Sequence, residues 1–272
     1  MRLRTNAHLK SRAARVEGAE ALDPLTASAV RVMTAAEAKR ARPRRAATRT
    51  SDAGRRGATA LVDCYQGLAR TRSHLLEPIL QGAPTQWEHY PAEDAIGLDR
   101  RYQWYYHSHS LADRPGTIEH GHFHLFARPE GTGGQIDASA ESSFLGTLGA
   151  SDSDAGTRHL LAIGMNPVGV PISLFTVNRW VTGDLLLSRS STLVLLESME
   201  LNTGYPTIDA VLTTLSQLYR PEIRFLMSRR DAALRARAAK GPGTLDDTRV
   251  EVLSEVSLDI DQRIANALTD GV

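Results

Sequence analysis

Residues 102–128 carry five of the chain's nine histidines in two aromatic runs. The first reads Tyr102-Gln103-Trp104-Tyr105-Tyr106-His107-Ser108-His109 and the second Glu119-His120-Gly121-His122-Phe123-His124-Leu125-Phe126. Successive side chains on a β-strand point to opposite faces. His107 and His109 therefore share one face, and His120, His122 and His124 share one face of the next strand. The Asp113-Arg114-Pro115-Gly116 break between the runs is a turn signal that makes the two strands an antiparallel pair. In register, with both histidine faces on the same side, five imidazoles converge.

Such a cluster can hold a metal, line a polar ligand pocket, or be satisfied within a core. Period-two spacing inside aromatic strands favours the metal or catalytic reading over an isolated His-x-His pair. Strand residues rise about 3.3 Å each, so His120 and His124 lie roughly 13 Å apart. That span is too wide for one ion bonded to nitrogen at about 2.0–2.1 Å. A single ion then takes an adjacent pair, His122 with His124 in preference to His120 with His122, completed by His107 or His109. His120 is left as an orienting or acid/base group. Glu119 precedes the run by one position and, without a bulge at Gly121, points away from its histidines.

An imidazole shell without cysteine suits Zn, Cu, Ni or Fe, and an added carboxylate moves the preference toward Fe or Mn. The expected cofactor is accordingly a divalent metal ion (Zn, Fe, Cu or Mn), bound by His107, His109, His122 and His124. His120, Tyr105 and Arg179 are the candidate catalytic residues. Tyr105 borders the cluster, and Arg179 stands at a strand end where it can meet an anionic ligand. Two chemistries use the same ligands: hydrolysis by an activated water and oxidation by a redox ion. Cys64, the lone cysteine, allows no internal disulfide or multi-cysteine site. With no leader pattern or membrane-length apolar run, a cytoplasmic protein is expected.

The overall charge of +1 conceals an asymmetry: residues 1–58 hold fourteen Lys and Arg against five Asp and Glu. Residues 1–57 are accordingly expected to form a basic, Ala/Arg-rich extension, partly flexible, on an acidic body. The extension has no aromatic residue for base stacking and no zinc-finger or Arg-Gly pattern, which weighs against nucleic acid as a partner. A small-molecule substrate, or a second copy of the chain, is the expected partner, and no membrane is expected.

Residues 58–272 read as a single α+β domain: an antiparallel sheet of four or more strands flanked by N-terminal and C-terminal helices. A helix is expected over residues 58–80, with Leu61, Tyr65, Leu68, Leu75, Leu76 and Ile79 on its apolar side. Trp87-Glu88-His89-Tyr90-Pro91 reads as a loop crossing the mouth of the sheet. Residues 128–156, rich in Gly, Ser, Ala and Asp, read as a long loop. Residues 159–165 and 171–178 form a strand hairpin. Helices follow over residues 188–200 and 207–219, and again after Pro221. A terminal amphipathic helix over residues 246–268 carries Leu253, Val256, Ile260, Ile264 and Leu268.

The runs Asp63-Cys64-Tyr65, Tyr105-Tyr106-His107-Ser108-His109, the His-Gly-His-Phe-His run at 120–124, Asn178-Arg179-Trp180-Val181-Thr182-Gly183 and Arg220-Pro221-Glu222-Ile223 resemble those of a bacterial family described as a domain of unknown function. The resemblance spans residues 58–232. It implies that these runs form one unit, and it brings no reaction or ligand with it. A His-x-His pair on a strand also invites comparison with cupins. The carboxylate expected three or four positions further on would fall at Leu125, Phe126, Ala127 or Arg128, and none of these fits.

The alternative functions are a non-catalytic small-molecule or metal-binding protein using the same pocket, and a nucleic-acid-associated or scaffold protein acting through the basic extension.

Overall fold

Every residue of strands β2 (Tyr102–Ser108) and β3 (Gly121–Ala127) is buried, so both faces of the sheet are covered where these strands run. The computed structural model describes residues 52–80, 82–109, 118–132, 134–150 and 156–269. The remaining strands are β1 (Tyr90–Ile96), β4 (Arg158–Met165), β5 (Pro171–Val177), β6 (Leu185–Leu186) and β7 (Val252–Ser257). They form one seven-stranded sheet in the order β1-β2-β3-β4-β5-β7, with β6 parallel to the start of β4 and every other pairing antiparallel. The fold is α+β, with helices before and after the sheet. The basic extension up to residue 51 lies outside the described residues.

The two faces have opposite chemistry. One carries Trp104, Tyr106, Phe123, Leu125, Leu161, Ile163 and Leu174 against α1 (Asp52–Arg70), α5 (Arg189–Glu197), α6 (Pro206–Leu218), α7 (Arg220–Ala238) and α8 (Ile260–Thr269). Burying an aromatic ring of this size contributes roughly 1.5–3 kcal/mol, and polar tips fix its placement. The Trp104 indole N–H donates to Asp209 at 2.9 Å and the Tyr102 hydroxyl to the Leu195 carbonyl at 3.0 Å. The opposite face carries Gln103, Tyr105, His107, His122, His124 and Phe126, followed by the apolar patch Ala162, Phe175 and Val177.

Several sequence expectations change in the structure. The first helix ends at Arg70 rather than near residue 80, because Arg72 turns to positive φ and Ser73 N–H bonds back to the Leu68 carbonyl. Leu75, Leu76 and Ile79 still enter the core, from turns. Their spacing marks one buried side but not the backbone that carries it. The segment after β3 contains α2 (Pro129–Thr132) and α3 (Ala138–Thr147) instead of continuous loop. Asp137 starts α3 by accepting from the backbone N–H groups of Ser139 and Ala140, the standard way to satisfy helix N-terminal donors.

The expected terminal helix divides into a 3₁₀ turn (Thr244–Asp246), strand β7 and α8. Leu253 and Val256, three apart, share a face only in a helix; in β7, paired with β5, they point to opposite sides and enter different apolar clusters. Among the described residues, no helix is long and apolar enough to cross a membrane.

Candidate metal centre

Antiparallel pairing of β2 and β3 sets His107 opposite His122 and Tyr105 opposite His124. The rings converge around His122. Its Nε2 lies 2.6 Å from His107 Nε2 and 2.9 Å from His124 Nε2. Its Nδ1 lies 3.0 Å from His109 Nε2 and 2.8 Å from a Glu119 carboxylate oxygen. His124 Nδ1 continues the chain to His159 Nε2 at 2.9 Å. His107, His122, His124, His159 and Glu119 are buried, and His109 is half-buried at the rim.

The fifth imidazole of this face is His159, not His120. Strict alternation would put His120 beside His122 and His124, but the pattern breaks at Gly121. A Cβ at Gly121 would lie 2.2 Å from the His107 carbonyl oxygen, so only glycine lets the backbone close onto β2 there. The His120 ring turns to the helix side, where its Nδ1 lies 2.7 Å from the Tyr106 hydroxyl. Burial pushes His120 down and Tyr106 up from their ordinary pKa values, so the phenol donates to a neutral imidazole. A second irregularity acts in the opposite sense on β4. The register with β3 shifts between Leu125 and Phe126, so His159 rather than Leu160 stands opposite Phe126. Bulges re-aim side chains in this way.

The same break in alternation brings in Glu119, the carboxylate that alternation leaves outside. Its side chain lies over Gly164, which pairs with His122 on one side and Ser173 on the other. A Cβ on Gly164 would come within 2.5 Å of Glu119 Oε2 and 2.3 Å of Ser173 Oγ. Ser173 donates to the carboxylate at 3.4 Å. The missing side chain at Gly164 is the floor of a cradle for a buried carboxylate.

Electrostatics favour unprotonated nitrogens deep in the cluster. Burial holds His159 down at about 3, assisted by the positive charge of Arg230. Burial also pushes His124 well below its ordinary value, with neighbouring imidazoles adding to the effect. Tyr105 is pushed well up by burial and remains a phenol. Its ring lies 5.8 Å from that of His107 and 5.1 Å from that of His124. Trp87 closes the rim edge-on, 5.8 Å from the His107 ring and 4.7 Å from the His109 ring.

The donor set fits a divalent ion. One nitrogen from each of His107, His109 and His122 lies within 4.8 Å of the others, and two bonds of about 2.0–2.1 Å span up to about 4.2 Å. A shared ion would draw the three slightly closer than this, with the Glu119 carboxylate beside His122 to orient it or supply an oxygen.

Arg179 stands elsewhere. It begins α4 (Arg179–Thr182) and pairs with Asp246. The Asn178-Arg179-Trp180-Val181-Thr182-Gly183 run is one capped helical turn. Asn178 accepts from the Arg179 N–H and donates to the Thr244 carbonyl, the Trp180 indole donates to the Val250 carbonyl, and Gly183 ends the turn at positive φ.

No curated protein and no solved structure matches this sequence. A family model described as Domain of unknown function (DUF6969) matches residues 55–258. That match covers most of the chain, and the protein belongs to this family.

Proposed function

We propose that this protein is a metal-dependent enzyme acting on a small molecule, with a divalent ion held by His107, His109 and His122 and with Glu119 beside them. The observation that carries this reading is the Glu119 carboxylate, buried over Gly164 and 2.8 Å from His122 Nδ1. A buried carboxylate is costly unless a positive charge compensates it, and a cation shared by the cluster does so. A bound divalent ion supplies Lewis-acid polarisation and, if redox-active, one-electron chemistry. Glu119 orients the His122 ring, as carboxylates beside metal-bound histidines commonly do. His124 and His159 carry the polar chain inward, Tyr105 offers a hydroxyl that stays protonated, and Trp87 limits access of water at the rim. The His-Gly-His-Phe-His run is, in this reading, the site-bearing segment of the family.

The test strips the protein of metal, reloads it separately with Zn, Fe, Cu or Mn, and incubates it with a small-molecule extract monitored by mass spectrometry and oxygen uptake. Conversion that depends on the ion and disappears in His109→Ala supports an enzyme. Stoichiometric loading with no conversion under any ion favours the non-catalytic metal-binding alternative.

A further inference from the structure

A second polar assembly lies beside the cluster and takes no part in holding the ion. His89 stacks flat on Tyr105, with ring centroids 3.6 Å apart and an interplanar angle of 9°. Its Nδ1 lies 2.8 Å from Asp94 Oδ1. The other Asp94 oxygen accepts from the Gln103 amide at 3.2 Å, and Arg128 donates to the Gln103 carbonyl oxygen. His89 Nε2 is buried and, among the described residues, has no hydrogen-bond partner.

This relay dictates a tautomer. An arginine only donates, so Gln103 must turn its oxygen to Arg128 and its NH₂ to Asp94. Asp94, as an acceptor, then takes the Nδ1 proton of His89. Nε2 is left as a bare lone pair. A carboxylate that fixes one imidazole nitrogen and frees the other is the arrangement of a general base. The backbone around His89 is held at some cost. Trp87 and Asp94 have φ of +67° and +52°, a region that side-chain-bearing residues adopt only when the surroundings hold them there. The Trp87 N–H bonds to the Ser108 carbonyl at 3.4 Å, tying the segment across β2. Trp87 thereby reaches His107 and His109 while His89, two residues on, covers Tyr105.

We propose that His89 is the proton-accepting residue of this site, oriented by the Asp94–Gln103–Arg128 relay to take a proton from a ligand bound at the adjacent metal centre. The proton passes from the ligand's O–H or N–H to Nε2, and Asp94 balances the imidazolium that forms. This inference rests on the metal-centre reading for its ligand, but not for its tautomer.

The experiment uses ¹⁵N-histidine-labelled protein, metal-free and zinc-loaded, with acetohydroxamate as a metal-chelating probe that presents N–H and O–H donors. In the metal-free protein, long-range ¹H–¹⁵N spectra are expected to show His89 protonated at Nδ1 and bare at Nε2, and Asp94→Asn to change that state. In the zinc-loaded protein, acetohydroxamate is expected to shift the His89 Nε2 resonance. His89→Phe, which keeps a ring on Tyr105, is expected to weaken the probe roughly three- to tenfold, the worth of one hydrogen bond, with zinc content unchanged. A proton on His89 Nε2, or equal probe affinity in wild type and His89→Phe with no movement of Nε2, overturns the proposal. Failure to load zinc while the tautomer is as stated would instead count against the metal centre alone.

Discussion

Gly164 and Glu119 show how much one side chain, or its absence, decides here. Gly164→Ala would drive a methyl group to 2.5 Å from the Glu119 carboxylate and 2.3 Å from Ser173 Oγ. Overpacking of this kind costs about 1–3 kcal/mol, and here it also evicts the carboxylate. Chemical denaturation should register that loss, with weakened zinc binding in calorimetry. Glu119→Gln keeps the shape and removes the charge, so its effect should fall on the ion rather than the fold. The expectation is about 10–100-fold weaker zinc binding, with a near-native denaturation midpoint. His159 supplies a pH dependence of known sign. Its folded pKa, lowered to about 3, lies below the ordinary histidine value near 6.5. The unfolded chain therefore takes up the proton first. Its contribution to stability is whole above about pH 6.5 and is lost as pH falls toward 3, at about 1.4 kcal/mol per unit inside that window. Metal-free protein should show this slope in denaturation midpoints, added to that of the similarly lowered His124, and His159→Phe should reduce it.

At the scale of elements, β2 to β5 were legible because aromatic and alternating residues crowd into short runs. In contrast, β1, which starts at Tyr90 in a stretch that reads as loop, and β6, in a stretch that reads as helical, were not. The turn signal at Pro115-Gly116, which lies outside the described residues, agrees with the antiparallel β2–β3 pairing. The deviations were not legible, because alternation has no means of announcing its own interruptions. Gly121 sends His120 to the far side and brings Glu119 in, and the irregular register of β3 with β4 presents His159 in place of Leu160. A glycine inside a histidine run was the available signal for the first. The second depends on a pairing visible only in three dimensions. The spacing of Leu253 and Val256 hid β7 because it suits one face of a helix, while in the strand both faces are covered and the two residues point to opposite sides. The Asn178 turn gives a contrasting prediction. Asn178 is fully buried and bonds at both ends of its amide, so Asn178→Ala should cost about 1–2 kcal/mol with metal content unchanged. Arg179→Ala should cost at most about 1 kcal/mol, since its Asp246 partner is largely exposed.

For the whole molecule, the sheet separates two tasks. One face is a dense apolar core against the helices, and the other gathers polar groups that could share a cation. The imidazoles and the carboxylate bond to one another, and a shared cation would supply the positive charge that a buried carboxylate favours. A ligand that binds only the folded state adds stability by mass action, about 2.7 kcal/mol at a hundredfold excess over Kd. Zinc should accordingly raise the melting temperature of the stripped protein, and a chelator should lower it again. The most direct measurement is elemental analysis of untagged protein purified without chelator, alongside His122→Ala at the centre of the cluster and His109→Ala at its rim. Near-stoichiometric metal is expected in the wild type, and its loss in His109→Ala with the circular dichroism spectrum intact. A folded wild type that carries no metal and refuses added Zn, Fe, Cu and Mn would contradict the metal-centre reading.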